Sequence, residues 1–119
     1  MNTVGRFIVG STLAVTTIFF SGAVLAAGSV TIMSPKDGGE LASGSGNKLE
    51  YNVELSPNGN HLHVYVDGGN PMIVRSVSGC PCSINLPDLS SGKHEIVIKE
   101  ATASHAMTGV ETSTAFTVK

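Results

Sequence analysis

The chain has 119 residues, 41% hydrophobic but only 5% aromatic, and it contains no tryptophan. Its 7 Lys and Arg stand against 9 Asp and Glu, a formal net charge of −2. That balance argues against a nucleic acid or an anionic membrane as partner, because both reward basic surfaces.

In chain order, residues 1–26 read first, as a secretory leader. Arg6 puts positive charge near the start, residues 7–25 make an apolar middle, and Val24-Leu25-Ala26 offers small residues for cleavage. The alternative is an uncleaved anchor, since the stretch approaches the roughly 20 apolar residues that span a bilayer. Gly5, Gly10, Ser11, Thr12, Thr16, Thr17, Ser21 and Gly22 dilute it, and no Lys or Arg follows closely to stop transfer. Cleavage after Ala26 is therefore expected, delivering residues 27–119 to the periplasm or the outside as one domain with no membrane attachment. No Cys sits just after the cut to take a lipid.

Beyond the leader no long stretch sustains apolar residues at helical spacing, and period two dominates. Val30 and Ile32 alternate with Thr31 and Met33 before a Pro-, Asp- and Gly-rich turn over 34–39. Leu49, Tyr51, Val53 and Leu55 alternate with Glu50, Asn52 and Glu54, the pattern of a strand with one dry face. Residues 61–67 follow, with Leu62, Val64 and Val66 expected inward and His61, His63 and Tyr65 outward. A hairpin turn over 68–71 leads to strands at 72–77 and 83–86, then at 94–101 and 112–118. About seven short strands predict an all-β, antiparallel sandwich of the immunoglobulin-like or fibronectin-III-like kind.

Three stretches carry a resemblance: Val30-Thr31-Ile32-Met33-Ser34-Pro35, then Gly38-Gly39-Glu40-Leu41, and the closing Ala115-Phe116-Thr117-Val118. Together they resemble bacterial exported immunoglobulin-like modules over nearly all of residues 27–119. The layout His61-x-His63-x-x-x-Asp67-Gly68, Gly92-Lys93-His94 and Ala103-Ser104-His105 is similar to small periplasmic domains of unknown function that share it. The resemblance implies a sandwich fold and, because some exported sandwiches with His and Met clusters handle copper, a copper ion as one ligand.

Residues able to do soft chemistry are few: four His, two Cys and a few Met. Pairing Asp67 with Met72 across the turn predicts His63 opposite Ser76 and His61 opposite Ser78, with Cys80 and Cys82 just beyond. The strand over 94–101 is expected to run antiparallel beside the His61 strand, so that its far end, followed by His105 and Met107, approaches His61. A metal site of His61, His63, His105 and Met107, joined by Cys80 and Cys82, is thus expected at one end of the sandwich. His94 is expected near Asp67 at the other. Imidazole with thioether or thiolate suits copper, and imidazole alone also suits zinc.

Cys80-Pro81-Cys82 leaves three readings open: a tight local disulfide, a thiolate pair on a soft metal, or disulfides to a second chain. No nucleophile elbow, phosphate loop or His-Glu-x-x-His helix occurs, so an enzyme is not expected. The rival expectation is a structural or protein-interaction domain in which the histidines only cover surface, its partner a protein rather than a metal.

Overall fold

Alternating apolar side chains need a second layer to cover them, and here two sheets supply it to each other. The computed structural model describes residues 28–119, so the leader expected over 1–26 lies outside it. The strands are β1 Ser29–Ser34, β2 Glu40–Leu41, β3 Lys48–Glu54, β4 His61–Val66, β5 Met72–Val74, β6 Cys82–Asn85, β7 Gly92–Ala101 and β8 Met107–Val118. One sheet has the order β1-β3-β6 and the other β2-β8-β7-β4-β5. Among the described residues there is no helix.

The facing layers meet in one core. Val30, Leu49 and Tyr51 come from the smaller sheet, and Leu62, Val64, Val74, Ile96, Ile98, Phe116 and Val118 from the larger. Each such side chain contributes about 1.5–3 kcal/mol by leaving water. As the alternation predicts, Leu62 and Val64 are fully buried in this core.

Four expectations are corrected. The sandwich has eight strands rather than about seven, because the two-residue β2 lies parallel to the end of β8, Glu40 against Thr117 and Leu41 against Val118. The other pairings are antiparallel. The last strand begins at Met107, not at 112. The strand expected over 72–77 stops at Val74, beyond which the chain crosses to the other sheet and Tyr51 Oη donates to the Ser76 carbonyl at 2.7 Å. Finally, the hairpin register differs by three: Val64 pairs with Met72 and His63 with Ile73. The turn is centred on Asp67 and Gly68, with φ of 54° and 73°, and Gly69 N–H donates to the Val66 carbonyl at 3.0 Å. Both central residues at positive φ give the turn whose twist matches the strands. Asp67 thus belongs to the turn instead of the ladder.

Candidate metal centre

His61 and His63 leave the same face of β4, opposite to Leu62 and Val64, because strand side chains alternate. β7 lies beside them, with His61 against Ala101 and His63 against Lys99. Outward direction does not mean exposure here, since His61 is 0% and His63 7% accessible. The connection from β7 to β8 lies over this end of the sheet and brings in a third imidazole.

That connection is closed by its own polar groups. His105 N–H donates to the Thr102 carbonyl at 2.9 Å and Thr102 N–H to the Ala106 carbonyl at 2.8 Å. Thr102 Oγ1 also accepts from Ala106 N–H at 3.1 Å. His105 has a φ of 71°, the left-handed region that hairpin loops of this kind usually fill with Gly. A non-Gly residue there carries a conformational cost.

Three ring nitrogens converge. His61 Nε2 is 3.0 Å from His63 Nε2 and 3.1 Å from His105 Nδ1, and the last two are 3.3 Å apart. Metal–nitrogen bonds of about 2.0–2.1 Å at tetrahedral angles place ligand nitrogens about 3.3 Å from one another, so the triangle has the dimensions of three ligands on one ion. Hydrogen bonds alone cannot satisfy it: around a ring of three atoms, donors and acceptors cannot alternate, and one edge is left unmatched.

The tautomer of His61 is fixed from outside the triangle. Asn60 Oδ1 lies 2.8 Å from His61 Nδ1 and accepts from Arg75 Nη1 at 3.2 Å. His61 Nδ1 therefore donates, and its Nε2 faces the other rings as a bare lone pair in the neutral imidazole. Burial holds the His61 pKa below its usual range, with Arg75, His105 and His63 adding repulsion. His63 is lowered by burial and by His105. Neutral imidazole is the form that binds metal.

The remaining expected ligands are placed differently. Met107 pairs with Ala101, which pairs with His61, so Met107 shares the row and the outward face of His61, two strands away, and is 44% exposed. Cys80 and Cys82 stand apart from the trio, because Cys82 pairs with Tyr51 in the other sheet. They are bonded to each other, with Cα atoms 4.3 Å apart, and offer no thiolate. The hairpin correction explains the difference, since the chain leaves the His61 sheet before it reaches them. His94 lies at the opposite pole, where Asp67 Oδ2 accepts from its Nδ1 at 2.6 Å and the Ser90 carbonyl accepts from its Nε2 at 2.6 Å.

Glu100 is paired with Leu62 and turns into the face opposite to the trio, where it is fully buried. Burial alone would raise its pKa, but hydrogen bonds from the Ser56 and Thr108 hydroxyls and Ser56 N–H outweigh it and hold the carboxyl below its usual range. Sequence reasoning missed Asn60 and Arg75. Asn60 immediately precedes His61, which was a usable signal, whereas Arg75 becomes a neighbour only through the corrected register. Three surface hollows lie elsewhere, one beside His94 and Phe116 and two beside Cys80 and Cys82. None of the three is lined by the trio.

Among solved structures, the chain is similar to the fibronectin(III)-like modules of Clostridium thermocellum CbhA, with a TM-score of 0.59 and 22% sequence identity over 76% of this chain and 96% of that one. At that identity the likeness speaks for the fold, a fibronectin-III-like β-sandwich, and for nothing finer. No protein-family model matches the sequence. No curated protein matches it either.

Proposed function

We propose that this fibronectin-III-like sandwich is an exported, non-catalytic binding module that holds one copper or zinc ion on His61, His63 and His105. The observation that carries the reading is the closed triangle of ring nitrogens, 3.0, 3.1 and 3.3 Å on its edges. A cation seated just off the plane of the triangle takes all three lone pairs at once. Two ligands stand on β4, an inner strand of the larger sheet, and one on a hairpin loop, so binding would tie β4 to the β7–β8 connection.

The test is titration of the exported chain, purified without a histidine tag, with copper and zinc. Binding to the native state alone raises the melting temperature, by an amount that grows with ion concentration. The imidazole NMR signals of His61, His63 and His105 should move together while those of His94 stay. His63→Ala or His105→Ala should weaken binding by about tenfold or more, and His94→Ala should leave it within about twofold. If all three variants behave alike, or neither ion shifts the melting point, the metal reading fails. The module is then a structural or protein-interaction domain whose rings share hydrogen bonds, which the 3.0 Å edge would serve.

A further inference from the structure

Resting on the metal site just proposed, the choice of ion can be read from what surrounds the trio. Arg75 follows directly on Val74, the last residue paired with β4, and its Nη1 reaches Asn60 Oδ1 beside His61 at 3.2 Å. The outward row from β4 to β8 is His61, Ala101 and Met107. A permanent cation flanks the trio on one side and a thioether on the other. Asn60 Oδ1 accepts from both Arg75 and His61, so the guanidinium is held one side chain away from a ligand. No carboxylate or thiolate belongs to the cluster, which consists of the three histidines. Glu100, the nearest buried acid in sequence, is turned to the far side of the sheet and engaged by Ser56 and Thr108.

These features act on charge and on softness separately. Three neutral nitrogens beside a fixed positive charge penalise a dication about twice as much as a monocation, because the repulsion scales with the charge of the ion. A thioether is a weak donor to zinc but a good one to cuprous copper. Three nitrogens gathered at the corners of a small triangle also do not provide the tetragonal plane that cupric copper prefers. We infer that the site selects monovalent copper over divalent ions, with Arg75 setting the charge discrimination and Met107 supplying a soft donor on the side that the three histidines leave open.

Both residues are solvent-exposed, so replacing them should leave the fold intact, which a circular dichroism spectrum checks. The exported chain is titrated under anaerobic, reducing conditions against a colorimetric cuprous chelator, and separately against a fluorescent zinc chelator. Arg75→Gln should raise zinc affinity by about fivefold and cuprous affinity by about twofold, an effect that shrinks in high salt. Met107→Leu should lower cuprous affinity by about tenfold and leave zinc affinity within about twofold. An unchanged ratio of the two affinities in either variant overturns the inference while leaving the site itself in place. Failure of the wild-type chain to compete with either chelator is a different result, and it removes the site as well.

Discussion

His105 is the residue at which shape and chemistry pull apart. Its left-handed backbone, φ 71°, costs an L-residue about 1–2 kcal/mol, and Gly would adopt it at no such cost. Selection for folding alone therefore favours Gly at this position. His105→Gly is expected to leave the metal-free protein as stable as the wild type or up to about 1 kcal/mol more stable, while abolishing the gain in melting temperature on adding copper or zinc. Paired thermal melts with and without ion measure both effects. A variant clearly less stable without metal would mean that the ring is a packing element and not a ligand held at a conformational cost. The meeting of His105 with His61 was legible in the sequence, because strand connectivity alone brings the end of one strand back to the start of the other. The φ was not, since Thr102-Ala103-Ser104-His105 carries no Gly to announce a left-handed residue.

At the scale of elements, the β4–β5 turn and the start of β7 are joined by Asp67. Its Oδ1 accepts from Glu95 N–H at 2.8 Å and its Oδ2 from His94 at 2.6 Å. The hydrogen bond to Asp67 raises the His94 pKa, and the Ser90 carbonyl adds to it against the effect of burial. Burial would raise the Asp67 pKa, but His94 and the Glu95 amide outweigh it and lower the value. A raised His stabilises fully below its unfolded pKa of about 6.5 and loses this as pH climbs through the folded value. A lowered Asp stabilises fully above about 3.9 and loses this as pH falls through the folded value. The pair is at full strength between those limits. The stability lost in His94→Gln, read from urea unfolding, should therefore be larger at pH 5 than at pH 9, and a loss independent of pH would reject the ion pair. Placing His94 beside Asp67 needed only the strand order, whereas the hairpin register was missed because Asp67-Gly68 and Gly69-Asn70 both read as turn centres. Only the backbone conformation of Asp67 chooses between them.

Across the whole molecule, the two sheets divide the soft chemistry: the imidazole trio belongs to the larger and the disulfide to the smaller. Alternation of apolar residues made the sandwich legible, but which sheet receives 80–82 depends on where the chain crosses over, and that is set by packing rather than pattern. The disulfide closes a loop of only three residues, for which loop-closure entropy predicts about 1.6 kcal/mol, well short of the ~3 kcal/mol of a 15-residue loop. Cys80→Ser with Cys82→Ser should accordingly lower stability by less than about 2 kcal/mol and leave ion affinity unchanged. A large loss of affinity would return the sulfurs to the site. The paired ends of the strands carry one more consequence. Ser29 pairs with Glu54 at the pole where β4 starts, and Val118 pairs with Gly92 at the far pole. A sequence fused ahead of Gly28 emerges at the same pole as the trio, and one fused after Lys119 emerges at the other end. A chelating tag in front would thus sit at high effective concentration beside the three rings and compete for their ion, whereas the same tag behind would act as a separate site.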